Sequence, residues 1–324
     1  MANKKVFITR QIPKKGIDML VEAGLDVEIG SMTKALSQKE IIKRAKGAEA
    51  LLCLLVDKID EGVLASLLPE LKIVANYAVG YDNVDVKAAK ERGIVVTNTP
   101  GVLTDAVAEH TVALTLALAK RLVEADNYVR AGKYKGWEPD LFVGGELKGK
   151  VAGIVGHGRI GCQVAEIFQK GFGMKILYHD ANRDEQAEAR CGISYATLHE
   201  LANQADVISL HVPLLPATHH LIGEKEFGLM KPTAYLVNTS RGPIVDEKAL
   251  VSALKKKQIA GAGLDVYENE PKLTPGLAKL SNVILTPHTA SATKEARETM
   301  AVMSAQNIIA VLSGQTPPNA VEVK

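Results

Sequence analysis

The chain has 324 residues, 47% of them hydrophobic and 23% charged, which is apolar material for two ordinary cores, so two domains are expected. A formal charge of +2, with Lys and Arg scattered among nearly as many Asp and Glu, lacks the basic stripe and interleaved aromatics that would suit nucleic acid. The VFI after the N-terminal lysines is too short for a secretory core, and no later run reaches the length of a membrane span, so neither membrane nor secretion is expected.

In chain order, KVFITR, LDVEI, EALLCLLV, KIVANYA and IVVTNT read as β-rich runs, separated by the amphipathic stretches IPKKGIDMLVEAG, SQKEIIKRAKGA, DEGVLASLLPEL and NVDVKAAKERG. Ser37 with Glu40 has the form of a capping box, and Gly93 and Pro100 punctuate the last helix and strand. Helical periodicity then runs from Thr104 to about Ala131, long enough to carry the chain into a second domain. GKYKGWEPDLFVGGELKGK comes next as a linker or surface excursion. Beyond it come VAGIVG (151–156), KILYHD, DVISLH, AYLVNT, GAGLDV and NVILTPH, with helices expected at 160–170, 184–191 and 246–257. Six strands with crossovers predict a doubly wound sheet. SATKEARETMAVMSAQNIIAVLSG is a final long helix, with Gly314 as its stop and TPPNAVEVK as a tail.

This pattern predicts an α/β protein of two Rossmann-like or flavodoxin-like parallel-sheet domains with an active-site cleft between them. Residues 1–100 form the first part of a substrate domain, 101–289 a cofactor domain, and 290–324 a helix returning to the substrate domain. Such crossings would make a hinge whose closure excludes water. Cys53, Cys162 and Cys191 show no CxxC or Cys/His spacing, so they are expected as packing residues in a reducing, cytoplasmic compartment, with no metal site.

In VAGIVGHGRIG, Gly156, Gly158 and Gly161 follow a strand and open a helix, the context in which GxGxxG holds a pyrophosphate at a helix N-terminus. Asp180 ends the next strand, where a carboxylate accepts ribose hydroxyls and repels a 2′-phosphate; Arg183 just beyond is the competing influence. NAD(H) is therefore the preferred cofactor, with NADP(H) as the alternative. His157, between the first two glycines, is read as incidental. A dinucleotide without a metal or flavin signature points to hydride transfer, and ligands of open α/β sheets sit at strand ends, here Val79, Gly80, His211, Arg241, Asp265 and His288. Arg241 has the fork that suits a carboxylate, and His288 the imidazole that exchanges a proton near neutral pH. Taken alone, such an Arg more often serves a surface ion pair, and such a His more often a structural hydrogen bond.

AVGYDNVD (78–85), NTPGVLTDAVAEH (98–110), GHGRIG (156–161), VNTSRGPIVDEKAL (237–250), GAGLDVYENEP (261–271) and TPHTASAT (286–293) occur in this order along the chain. In them the sequence resembles the D-isomer-specific 2-hydroxyacid dehydrogenase family, especially its glyoxylate/hydroxypyruvate reductase and 2-ketogluconate reductase branch. The resemblance implies reduction of a small 2-keto acid to the D-2-hydroxy acid. Arg241 would hold the substrate carboxylate, His288 would be the acid/base, and Glu270 would hold and charge its imidazole. Leu55, with the amides of Val79 and Gly80, would line the substrate side. The cofactor would lie against Thr104, Arg159, Ile160, His211, Val212, Pro213, Thr218, Thr239, Ser240 and Asp265, besides the glycines and Asp180.

The same resemblance implies a homodimer, with the helix from Thr104 and the loop of Trp137 at the interface and Trp137 reaching a neighbouring substrate site. The chain departs from the family in PHTASAT, where Ala290 replaces a common glycine, and in His157. Val79 stands where phosphite-oxidising relatives carry lysine, which argues for an organic acid, and the length leaves no room for the regulatory domain that phosphoglycerate dehydrogenases often add. A dinucleotide-sensing corepressor is the competing reading, opposed by the intact Arg241, Glu270 and His288 set.

Overall fold

The computed structural model describes residues 4–322. Its backbone divides into two compact units, Met1–Leu103 with Ala292–Lys324, and Thr104–Ser291.

In the first unit, β1 (Lys5–Ile8), β2 (Asp26–Ile29), β3 (Ala50–Leu54), β4 (Ile73–Tyr77) and β5 (Val95–Thr97) alternate with α1 (Lys14–Glu22), α2 (Gln38–Ala45), α3 (Glu61–Ser66) and α4 (Val86–Glu91). The sheet order is β2-β1-β3-β4-β5, and every pairing between these strands is parallel. That is the flavodoxin-like order. The inner strands β3 and β4 are buried along almost their whole length because helices cover them: Phe7, Leu51, Cys53, Val74 and Val96 pack with Ile41, Val63 and Ala89 from α2, α3 and α4. The Ser37 capping box forms as expected, with the hydroxyl accepting from the Glu40 amide and the Glu40 carboxylate accepting from the Ser37 amide.

In the second unit the elements are α5 (Thr104–Ala119), α6 (Leu122–Arg130), β6 (Val151–Val155), α7 (Arg159–Phe172), β7 (Lys175–His179), α8 (Glu185–Cys191), β8 (Ser194–Tyr195), α9 (Leu198–Gln204), β9 (Val207–Leu210), α10 (Glu224–Leu229), β10 (Tyr235–Asn238), α11 (Glu247–Lys255), β11 (Gly261–Leu264) and β12 (Val283–Leu285). The order β12-β11-β10-β9-β6-β7-β8 is a doubly wound sheet whose direction of winding reverses between β6 and β9. Ligands of such sheets bind in the crevice at that reversal. One face packs Ala108, Val112, Val164 and Phe168 of α5 and α7, and the other packs Leu201, Phe227, Leu250 and Leu254 of α9, α10 and α11. Each fully buried side chain of this size contributes about 1.5–3 kcal/mol.

The chain returns to the first unit as α12 (Lys294–Leu312), which packs on α1 and across β4 and buries Met300, Ala301, Ala305 and Ile308. No helix among the described residues is long and apolar enough to cross a membrane.

Four expectations about elements change. The helix from Thr104 breaks at Arg121, whose φ is 52, because the Gly145 amide takes the Ala119 carbonyl (2.8 Å) and ends α5 there. The second sheet has seven strands, the extra one being β8, only two residues long and without a run to announce it. TPPNAVEVK is not a free tail: Asn319 is held by the buried Asn307, and the Val321 amide donates to Val96 O (2.8 Å), so 319–321 pair along the edge strand β5. Of the three cysteines only Cys53 is a packing residue, since Cys162 and Cys191 are exposed near the ends of α7 and α8.

Candidate active site

The turn after β6 is shaped by what its glycines lack. Gly156 adopts φ 94, and a Cβ there would lie 2.7 Å from the His211 carbonyl. A Cβ on Gly161 would lie 2.0 Å from Gly156 O, so α7 closes on the turn only with no side chain between them. Gly158 is the opposite case: it is the N-cap of α7, no side chain caps the helix, and an added Cβ would meet nothing within 4 Å. The amides at Arg159 and Ile160 thus begin a fourteen-residue helix beside open space, which fits the phosphates of a dinucleotide.

Asp180 follows β7. Its Oδ2 accepts the His157 amide (2.7 Å) and its Oδ1 the Asn182 amide (3.4 Å), so backbone fixes the carboxylate. It borders, with Gly158, Asn182, Asp184 and Glu185, an open depression of about 570 Å³. The His157 ring packs on Tyr178 with centroids 4.6 Å apart, and burial lowers its pKa despite the nearby Asp184 and Asp180 carboxylates. The side chain is structural, whereas its amide, which no side-chain pattern points to, orients Asp180. Arg183 is turned onto Glu188 through two hydrogen bonds of 2.8 and 2.9 Å.

Across the sheet, His211 directly follows β9. Desolvation pushes its imidazole down to about 3, so it is a neutral hydrogen-bonding group, with Nε2 2.8 Å from Ser209 Oγ. Val212 and Pro213 come next, and the Thr218 hydroxyl donates to Pro213 O (2.6 Å), closing the loop on itself. The His220 amide donates to Pro243 O (2.8 Å), tying that loop to the turn carrying Arg241.

That turn is folded by one side chain. The buried Asn238 accepts from the Ser240 amide (3.0 Å) and donates to Arg241 O (2.9 Å), which fixes Thr239, Ser240 and Arg241 in a tight reversal. Gly242 lies so close to the next loop that a Cβ would fall 1.9 Å from the Tyr267 carbonyl carbon. The arginine turn and the 265–270 segment are therefore one packed piece.

Asp265, completely buried, organises the segment after β12: its carboxylate accepts from Thr286 Oγ1, the Thr289 amide and the Ala290 amide, each at 2.7 Å, and its carbonyl accepts the His288 amide (2.9 Å). These bonds bracket His288, which sits at φ 54, a left-handed conformation unusual for a residue with a Cβ. Its Nδ1 lies 3.0 Å from Glu270 Oε2, and Glu270 Oε1 accepts the Tyr267 amide (3.0 Å). Desolvation would raise the Glu270 pKa, but the His288 contact, the Tyr267 amide and the Arg241 charge outweigh it and hold the carboxyl below its ordinary 4.5. An ionised carboxylate only accepts, so Nδ1 carries the proton and Nε2 is left for a ligand.

The structure thus brings Glu270, His288 and Asp265 into one hydrogen-bonded cluster, with Arg241 on the loop packed against it. One further residue belongs to it that the sequence pattern does not single out: His110 Nε2 on α5 lies 3.1 Å from Thr286 Oγ1, whose single proton goes to Asp265, so His110 donates. Next to it on the same helix, Thr111 shares a 2.9 Å bond with Thr239 of the arginine turn. The only signal in the sequence is a polar His110 in a helix otherwise read as core.

Thr104 begins α5. In the first unit, Leu55 follows β3, while Val79 and Gly80 follow β4. The Thr99 amide holds Ala78 O (2.9 Å) and Asn98 Nδ2 holds Val79 O (2.8 Å), which fixes the opposite ends of those peptides, the Val79 and Gly80 N–H groups. Trp137, in the loop after α6, is 83% exposed.

Residues 112–290 match the NAD binding domain of D-isomer specific 2-hydroxyacid dehydrogenases. The chain belongs to that family. Over 321 residues this dehydrogenase is 52% identical to a glyoxylate reductase of Thermococcus litoralis, covering 98% of this chain and 96% of that one. Among solved structures, a protein from Thermus thermophilus superposes with a TM-score of 0.92 at 45% identity, over 98% of this chain and 100% of that one. An NADPH-dependent glyoxylate/hydroxypyruvate reductase from Sinorhizobium meliloti, solved with NADP and malonate, gives 0.88 at 32% identity, over 99% and 97%. The dehydrogenase is an oxidoreductase with two parallel-sheet α/β domains, the second of them NAD-binding.

Proposed function

We propose that this chain reduces small 2-keto acids, glyoxylate and hydroxypyruvate first and 2-ketogluconate next, to D-2-hydroxy acids, with NADH preferred over NADPH. The observation that carries the reading is the His288–Glu270 pair, which leaves Nε2 as the one imidazole atom available to substrate. When bound, the reduced nicotinamide supplies the hydride. Glu270, charged at neutral pH, stabilises the imidazolium, and His288 gives its Nε2 proton to the ketone oxygen as the carbonyl becomes an alcohol. Arg241 takes the substrate carboxylate with its planar fork.

The first unit, to which the expected 1–100 and 290–324 correspond, is assigned as the substrate domain, with Leu55 and the Val79 and Gly80 amides as its substrate-side residues. Residues 101–289 are assigned to the cofactor, with Thr104, the glycine turn, Asp180, the His211–Pro213 strand end, Thr218, Thr239 and Ser240 as its contacts. Asp265 keeps a place beside the nicotinamide, although its oxygens already serve three protein donors. Asp180 supports the NADH preference because its carboxylate is fixed and two more, Asp184 and Glu185, border the same depression.

A homodimer fits the exposure of Leu122, Val129, Tyr134, Trp137 and Val143 on α6 and the loop after it. The unpaired Cys53, Cys162 and Cys191 fit a reducing, cytoplasmic setting. Steady-state kcat/KM for the three keto acids with NADH and with NADPH tests the proposal. Highest efficiency with glyoxylate or hydroxypyruvate and NADH supports it, and a preference for a bulky apolar keto acid overturns the substrate order.

A further inference from the structure

Arg183 stands three residues after Asp180 and borders the same depression, where an adenosine ribose would lie. A guanidinium so placed is the natural partner of a 2′-phosphate. In this structure it is engaged elsewhere. Its Nε and one terminal nitrogen meet the two oxygens of Glu188 at 2.8 and 2.9 Å, a bidentate fork, and its Cζ lies 5.8 Å from the Tyr195 ring centre.

Glu188 is itself held. The hydroxyl of the fully buried Tyr178 donates to Glu188 Oε1 (3.0 Å) and accepts the Asp184 amide (2.8 Å), so the clamp is anchored in the core under β7. The Glu188 side chain is 17% exposed against 55% for Arg183: the carboxylate is the fixed member and the arginine the one drawn to it. Hydrogen bonding from Arg183 is the main cause holding Glu188 below its ordinary carboxylate range.

We propose that Glu188 is a specificity-determining residue that acts through Arg183, keeping the guanidinium off the ribose edge and so leaving Asp180 and its neighbours to reject a 2′-phosphate. The inference rests on the NADH preference assigned above and deepens it: selectivity needs the carboxylate of Asp180 and also the removal of the guanidinium that borders the same depression. A charge-assisted bidentate pair redirected from Glu188 to a 2′-phosphate is worth on the order of tenfold in affinity.

The test is calorimetric titration of the full-length protein with adenosine 2′,5′-bisphosphate and with AMP, alongside NADPH and NADH kinetics. Glu188→Ala, and Glu188→Gln, which keeps the acceptor for Tyr178, should each tighten the bisphosphate by roughly tenfold relative to AMP and raise the NADPH/NADH ratio of kcat/KM in step. In an Arg183→Ala background the same substitutions should gain nothing, a dependence that a merely structural role for Glu188 does not produce. An unchanged bisphosphate affinity in both folded Glu188 variants, or the same gain without Arg183, overturns the inference. Asp180→Ala is the separate arm: if it fails to improve bisphosphate binding, the role of Asp180 fails, whatever the Glu188 variants do.

Discussion

His288 combines a left-handed backbone with two hydrogen bonds, one from its amide to Asp265 O and one between its ring and Glu270, and together they fix one imidazole. Its neighbour's charge has a definite pH consequence. Glu270 is held below 4.5, so the stability it contributes is fully present above the ordinary carboxylate range and is lost as pH falls through its lower folded value. Between pH 5 and 8 the carboxylate stays charged, and a change in rate there reports another group. Glu270→Gln removes the ionised acceptor that holds the His288 ring, so kcat for keto-acid reduction should fall at neutral pH while NADH binding is unchanged. A variant with the parent's kcat would show that Glu270 does not govern His288. At this scale the sequence singles out Arg241, His288 and Asp180 because residue type and strand-end position coincide there. His110, Thr286 and Glu188 were not legible: His110 meets Thr286 only when α5 packs beside the end of β12, 176 residues along the chain, and Glu188 meets Arg183 and Tyr178 nearby in sequence but in a pattern that no motif marks.

Elements were legible where a long run or a cap announces them. All five strands of the first sheet were anticipated by their short β-branched runs, and the Ser37 capping box by its spacing. β8 is too short to show a period, α9 was missed although Thr197 and Glu200 form a capping box, and α10 is six residues with Gly228 inside it. The α5–α6 break depends on Gly145 reaching back to Ala119, which no local pattern reveals. Gly242 shows the same non-local logic with a functional edge. Gly242→Ala places a methyl against the Tyr267 backbone, where no flexible side chain can yield, so the arginine turn and the Glu270 loop must separate. Overpacking of this kind costs about 1–3 kcal/mol, and for this variant a lower Tm should accompany a loss of kcat/KM that NADH binding does not share. A variant with parental Tm and kcat/KM would mean the two loops are not the single piece described.

For the molecule as a whole, the fold class followed from alternation of strands and helices, and the parallel sheets bear it out. The strand orders themselves were beyond the pattern, since periodicity says which face is buried and not which strand lies alongside. Oligomeric state was carried by resemblance, and the structure adds that α6 buries none of its residues, with Leu122 and Val129 more than half exposed. Sedimentation should therefore give a species near twice 34.7 kDa, with Trp137→Ala lowering activity through the neighbouring site; a single species at 34.7 kDa would remove the dimer.

The central claim is that this chain reduces a 2-keto acid with His288 as the proton donor. Its most direct test is the rate of NADH oxidation with saturating glyoxylate by the parent protein and by His288→Asn at equal concentration and matched fold. The account predicts steady turnover by the parent and a kcat lower by about 10²–10⁴ in the variant, the range expected when a positioned general acid is removed. Absence of turnover on any 2-keto acid by the parent, or equal turnover by both proteins, would contradict it.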